Sequence, residues 1–271
     1  MGRSLTSHYA QLAKQRANEL PSEPTADQLN ELLRTLGRWR SRMLANTYLA
    51  REGPRIRCGP FAGMTYLTQA TEGALVPRLL GAYESELHPH LLAFAQEAPE
   101  VVIDVGCAEG YYAVGLARLM PQAMVHAFDI DEAARAACAA LAERNGVADR
   151  VRIGGAFPPE GFEAFAGRRA LVVVDAEGAE LDLLRPDLSP ALAGFGLIVE
   201  THDVYRKGAL AEIVRRFAPT HDITVVRQQP KTTELPPWLE ELGHLDQLLA
   251  VWEWRLAPTP WLVMQPKTSL P

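Results

Sequence analysis

Four acidic residues occupy matching places in the chain, each closing or nearly closing a short aliphatic run. They are Asp104 after Val101-Val-Ile, Asp129 after Met124-Val-His-Ala-Phe, Asp175 after Ala170-Leu-Val-Val-Val and Glu200 after Gly196-Leu-Ile-Val. Such runs suit strands buried on both faces of a parallel sheet. Ligands on these sheets lie beyond the carboxyl ends of the strands, so the four carboxylates would share one crevice. Asp104 opens the stretch Asp104-Val-Gly106-Cys107-Ala108-Glu109-Gly110. Glycine at 106 and 110 allows a sharp turn and close approach of a ligand to the backbone. A nicotinamide fingerprint would read G-x-G-x-x-G, and here Asp104 stands in place of the first glycine. An acid there disfavours a pyrophosphate and suits a cationic ligand, such as a sulfonium or an amino group. Asp129 lies ~20 residues past the turn, near the offset at which a carboxylate reaches a ribose hydroxyl pair.

Helical patterns separate these runs. Tyr111 to Leu119 has helical spacing, and its N-terminal amides point into the glycine turn. A second helix runs from Glu132 to Arg144, capped by Asp131 and stopped by Asn145-Gly146. Val151-Arg-Ile-Gly-Gly reads as strand three, a short helix follows Glu180, and Ala209 to Phe217 is the helix after strand five. Ile223 to Gln228 and Trp261 to Met264 read as closing strands. This alternation predicts an α/β fold, a doubly wound and mostly parallel seven-stranded Rossmann-like sheet.

At this point the sequence resembles a known family. The Asp104-x-Gly106-x-x-x-Gly110 turn, the acid at 129 and the run Val174-Asp175-Ala-Glu177-Gly178-Ala-Glu180 are similar to class I S-adenosylmethionine-dependent methyltransferases. The D-x-E-G-x-E run resembles the FkbM-type O-methyltransferases in particular. The resemblance spans roughly Gly81 to Glu200, a domain-sized stretch. It implies S-adenosylmethionine as cofactor and the seven-stranded methyltransferase sheet. It also implies that the 104–110 turn, with Cys107, Ala108 and Glu109, holds the methionyl part. The cofactor's amino group would face Asp104, its carboxylate the backbone amides, and Asp129 with neighbouring Ile130 the ribose end. Asp175 would lie beside the methyl group and the acceptor. Many relatives carry an acid after strand three to read the adenine amino group. This chain has Gly154-Gly155-Ala156 there, leaving adenine to backbone contacts.

Methyl transfer to a hydroxyl also needs a proton acceptor near the methyl group. His202, in Glu200-Thr-His202-Asp203, is the first candidate and Asp175 the second; a hydrogen-bonding loop residue is the alternative reading of His202. Glu200, His202, Asp203, Asp175 and Glu177 are also an oxygen-rich set open to a divalent metal, although no geometry fixes a ligand. Glu180 falls in the first turn of a helix, where the dipole favours an acid whatever the function. His126 inside strand two reads as a packed or surface residue.

Residues 1–80 read as an N-terminal helical extension and lead-in segment. Residues 81–271 read as the methyltransferase domain, with a helical insertion near 235–254 that carries Trp238, Trp252 and Trp254. Two helices precede about Arg51, split near Pro21 and Pro24. On the second, Leu29, Leu32, Leu33, Leu36, Trp39 and Met43 form an apolar stripe that could pack on the core, lid a pocket or join a homodimer, packing being the default. Tyr83 and Glu84 precede the first core strand, where they could close over the cofactor. Net charge is −6, from 27 basic and 33 acidic residues, which disfavours nucleic acid as a partner. The arginines at 34, 38, 40, 42, 51, 55 and 57 read as a solvated helix face. An odd set of 3 cysteines without paired spacing fits a reducing cytoplasm. No secretion signal or membrane span is expected. The sequence thus points to O-methylation of a small-molecule or glycan-like acceptor. N-methylation and a non-catalytic cofactor-binding partner protein remain as alternatives.

Overall fold

The computed structural model describes residues 4–68 and 73–268, so both outer ends of the expected 1–80 and 81–271 spans lie outside it. Seven strands form one sheet: β1 (Val101–Val105), β2 (Met124–Phe128), β3 (Val151–Gly154), β4 (Ala170–Val174), β5 (Gly196–Glu200), β6 (His221–Val226) and β7 (Trp261–Pro266). Their order is β3-β2-β1-β4-β5-β7-β6. The first five run parallel, and β7 pairs antiparallel with both β5 and β6. This is the doubly wound, mostly parallel seven-stranded sheet expected from the sequence. The reversal between β1 and β4 creates the crevice at which ligands of such sheets sit.

Strand alternation divides the core into two layers. Val102, Leu171, Val173, Ile198, Trp261 and Val263 point to one face, while Val101, Ile103, Val172, Val174, Leu197 and Leu262 point to the other. The first layer is closed by α4 (His88–Gln96), α5 (Tyr111–Leu119) and α6 (Glu132–Arg144), and the second by Phe162, Leu184, Leu192 and α8 (Ala209–Phe217). The helix stop and start signals act as read: the Asp131 side chain accepts from Ala133 N, and Asn145 ends α6.

The N-terminal region forms α1 (Leu5–Asn18) and α2 (Ala26–Glu52), the latter opened by a Thr25–Gln28 capping box. Its packing differs from the expected stripe. Leu29, Leu33 and Leu36 are exposed, and the buried positions are Thr35, Ser41, Leu44, Ala45 and Tyr48. The first half of α2 packs against α1 and the 235–254 segment, and the residues it gives to the main core, Leu44, Ala45 and Tyr48, all come from its second half. Tyr48, Ile56, Phe61, Met64 and Tyr66 join the same core as α3 (Leu75–Leu80) and α5.

The arginine-rich face is also not simply solvated. Arg40 pairs bidentately with Asp246 at 2.6 Å, Arg38 and Arg42 lie over Trp254, and Arg51 lies over Trp238. These contacts clamp the 235–254 insertion, which folds as α9 (Pro237–Glu240) and α10 (His244–Ala250), onto α2. The insertion thereby extends the main core: Leu239 and Ala250 are buried in it, and Trp238 packs against it beside Tyr48. Strand β6 begins two residues before the expected Ile223 and ends at Val226. As an edge strand it takes its bounds from pairing with β7, His221 opposite Pro266, and its own alternation says little. Among the described residues no helix is long and apolar enough to cross a membrane.

Candidate functional site

The β1–α5 turn is built from backbone first. Gly106 N and Cys107 N both donate to Phe128 O, and Gly110 N donates to Cys107 O. Gly106 has φ +86°, and a Cβ there would stand 1.7 Å from the carbonyl oxygen of Asp175. The close approach that demands glycine is thus made by the protein's own β4 end. Ala108 also holds a left-handed φ of 45°, and its N–H donates to Asp129 Oδ2 at 2.9 Å. Asp129 Oδ1 accepts from Asp131 N. The acid at the end of β2 is thereby locked beside the turn, and Ile130 next to it is 85% exposed.

Two carboxylates are enclosed in this turn. Asp104 and Glu109 are each 1% exposed, and among the described residues Asp104 Oδ2 and Glu109 Oε2 have no hydrogen-bond partner. Glu109 Oε1 accepts from the hydroxyl of Tyr66 at 2.6 Å. Burial, reinforced by the charge of Asp129, pushes the Asp104 carboxyl up to about 7. Cys107 and Cys138 are buried free thiols. Hydrogen bonding to Cys138 and burial raise the Cys107 thiol, which leaves it a packing residue.

Glu84 is buried just outside the turn, in the left-handed region at φ 47°. Its oxygens are both taken within the protein, one by the hydroxyl of Tyr112 and one by Arg255. Arg255 also bonds Glu200 Oε1 and, at 3.0 Å, Glu253 Oε2, while Lys231 joins Glu86 and Glu253. This buried ion network ties the segment after β6 to the ends of β5 and the lead-in before β1. Sequence reasoning missed Arg255 and Lys231 because nothing local marks them.

The second focus lies at the ends of β4 and β5. Asp175 N donates to Val105 O, and the chain then turns through Glu177 (φ 47°) and Gly178 (φ 102°) into α7 (Glu180–Leu183). A non-glycine residue held left-handed at such a place is strained, as functional turns often are. Glu180 is fully buried and accepts from Gly178 N, and its Oε1 lies 2.7 Å from His202 Nδ1. That partnership goes beyond the helix-dipole role expected of it. His202 Nε2 stands 3.7 Å from Asp175 Oδ1, Glu177 Oε2 and Glu200 Oε2. Burial acts to lower the His202 imidazole, but Glu180 and the charge of Glu200 outweigh it and raise it above the ordinary histidine range. Burial and the adjacent Glu200 carboxyl push Asp175 well above the usual carboxylate range. Asp203, by contrast, caps the start of α8 by accepting from Gly208 N and Leu210 N. The structure therefore brings Asp175, Glu177, Glu200 and His202 together and takes Asp203 away. His126 packs edge-on against Phe165, outside the site.

No protein-family model matches the chain, and no curated protein matches it. Among solved structures, it is similar to the O-methyltransferase TomG from Streptomyces achromogenes, involved in tomaymycin synthesis and bound to SAM. That likeness has 15% identity, covers 66% of this chain and 80% of that one, and has a TM-score of 0.43. An O-methyltransferase from Bacillus cereus in complex with SAH is similar at 15% identity over 65% of this chain and 78% of that one, with a TM-score of 0.42. An rRNA methylase from Streptococcus thermophilus is similar at 16% identity over 68% and 97%, with a TM-score of 0.45. Likeness at this level assigns neither chemistry nor substrate to this chain.

Proposed function

We propose that the chain is an S-adenosylmethionine-dependent methyltransferase of the FkbM type, transferring a methyl group to a hydroxyl of a small-molecule or glycan-like acceptor. The observation that carries this reading is the pair of buried, unpartnered carboxylate oxygens in the β1–α5 turn, Asp104 Oδ2 and Glu109 Oε2. Leaving such atoms unpaired is costly, and a cation that donates hydrogen bonds to them removes the cost. A dinucleotide pyrophosphate would add negative charge to the same place. When bound, the sulfonium cofactor supplies an activated methyl group.

The chain's own residues supply the rest. Asp104 and Glu109 would receive the cofactor's amino group, and Asp129, held at the end of β2, would take the ribose hydroxyls. Ile130 offers an exposed apolar surface beside it. Glu84 would act indirectly, by anchoring Arg255 and Tyr112 next to the turn. Across the β1–β4 crevice, Asp175 and His202 would activate the acceptor hydroxyl. An imidazole fixed through Nδ1 can take a proton at Nε2 or give that lone pair to a cation.

Parallel calorimetric titrations with S-adenosylmethionine, S-adenosylhomocysteine and NAD test the reading. Micromolar binding of the two adenosyl compounds, about −8 kcal/mol, with none of NAD, is the expected result. Binding of NAD alone would overturn it.

A further inference from the structure

His202 is presented as a ligand. Glu180, whose side chain is fully buried, holds Nδ1 at 2.7 Å, which fixes the ring and leaves the lone pair on Nε2. Nε2 faces one oxygen each from Asp175, Glu177 and Glu200, all at 3.7 Å. That separation is too long for a hydrogen bond, and among the described residues Nε2 makes none. The His202 and Glu200 side chains are each only 4% exposed. Asp175 Oδ1 is itself buried without a hydrogen-bond partner among the described residues.

We propose that Asp175, Glu200 and His202 form a site for a divalent first-row cation, with Glu177 as a fourth, outer ligand and Glu180 as the residue that orients His202. One ligand atom from each of the three lies within 4.8 Å of the others. Two ligand atoms bound ~2.1 Å from a shared ion at a near-tetrahedral angle stand roughly 3.4 Å apart; the His202 separations of 3.7 Å are close to that, and the two carboxylates would draw together around the ion. Mixed imidazole and carboxylate donors favour Mn²⁺, Fe²⁺ or Zn²⁺ over Ca²⁺. A cation would also offset the repulsion between the Asp175 and Glu200 carboxyl groups. Arg255 engages only Oε1 of Glu200 and is shared with Glu84 and Glu253. Access is from the Glu177 side, where that side chain is 55% exposed.

Cation binding rests on this cluster alone; its use in catalysis rests on the methyl-transfer reading. A hydroxyl oxygen of the acceptor would fill an open coordination position, which lowers the hydroxyl's pKa. With Nε2 coordinated, the hydroxyl proton passes to the Glu177 carboxylate and on to solvent.

The test is titration of chelator-treated protein with MnCl₂, followed by calorimetry and electron paramagnetic resonance. The expected result is one Mn²⁺ per chain with micromolar affinity, weakened at least ~10-fold in Asp175→Asn and His202→Ala and also in Glu180→Gln. Asp203→Ala should bind as the parent does. Glu177→Gln, altered on an exposed turn, should still weaken binding severalfold and keeps the test decisive if the buried variants do not fold. Absence of Mn²⁺ uptake up to millimolar concentration, or equal uptake by folded His202→Ala or Glu177→Gln, overturns the proposal. S-adenosylmethionine titrated without metal separates the two readings. Cofactor binding without Mn²⁺ uptake would sink the cation site alone, whereas Mn²⁺ uptake without cofactor binding would sink the methyltransferase alone.

Discussion

The two halves of the crevice are made in opposite ways. The β1–α5 turn is a contiguous stretch whose shape is set by backbone hydrogen bonds and left-handed residues, with the N–H groups of Gly106, Cys107, Ala108 and Gly110 each donating to a named acceptor. The cluster across from it has side chains drawn from two strand ends, Asp175 and Glu177 after β4 and Glu200 and His202 around the end of β5. They meet because Val174 pairs with Val199 in the sheet. One half is shaped by local chain geometry, the other by register and charge. A turn of the first kind tolerates little change in its backbone, while a cluster of the second kind can lose a side chain and keep its fold.

That contrast can be broken at its strongest point with Gly106→Ala. The new Cβ would meet the Asp175 carbonyl oxygen at 1.7 Å, from a φ that L-residues avoid. We expect a loss above ~4 kcal/mol in urea unfolding, in the range reserved for severe steric faults. A fall of less than ~1 kcal/mol would mean that the two strand ends are not in contact. His202→Ala is the counterpart in the cluster. It should slow turnover by ~10²–10⁴-fold while S-adenosylmethionine affinity stays constant. Full activity in that variant would remove the imidazole from the chemistry.

The two halves also differed in how far the sequence disclosed them. The four strand-end acids, the glycine turn and the Asp131 cap could be read directly, because each depends on residues that are neighbours in the chain. Glu180 looked like an ordinary first-turn acid, since its hydrogen bond to His202 spans 22 residues and follows from the β4–β5 pairing. Arg255 was invisible for the same reason, being 171 residues from Glu84. The leucine stripe on α2 was legible as a pattern, but a pattern does not say where the core ends. Leu29, Leu33 and Leu36 lie beyond it.

Smaller effects sharpen the picture of the turn. Asp129→Ala should weaken cofactor binding by about 1–3 kcal/mol, since it unpairs Ala108 N as well as the ribose hydroxyls. Unchanged affinity by calorimetry would detach Asp129 from the ligand. Asp104 makes a pH-dependent statement. Its carboxyl rises to about 7 in the fold, so between roughly pH 4 and 7 the folded state binds more protons there than the unfolded state. This residue's contribution to the stability of the cofactor-free protein therefore falls as pH rises through that window and levels off above it. Asp104→Asn should remove that part of the slope in unfolding titrations. Cofactor affinity in the parent should move the other way and strengthen toward pH 8, as the carboxylate ionises to meet a cation. An identical stability slope in the asparagine variant would show that Asp104 is not the titrating group.

The smallest expected effect draws the boundary of the cluster. Asp203 adjoins His202 in sequence and carries the right functional group, yet both its oxygens accept backbone N–H groups at the start of α8. Asp203→Ala should therefore behave as loss of a helix cap, lowering stability by about 1 kcal/mol. Turnover per folded molecule should not change, because the imidazole is held by Glu180 from the β4 side and not through the loop that Asp203 closes. A thermal melt together with a rate measured well below the transition separates the two quantities. A rate loss comparable to that of His202→Ala would mean that the α8 cap and the imidazole form one unit, and that the cluster extends along the chain as well as across the sheet.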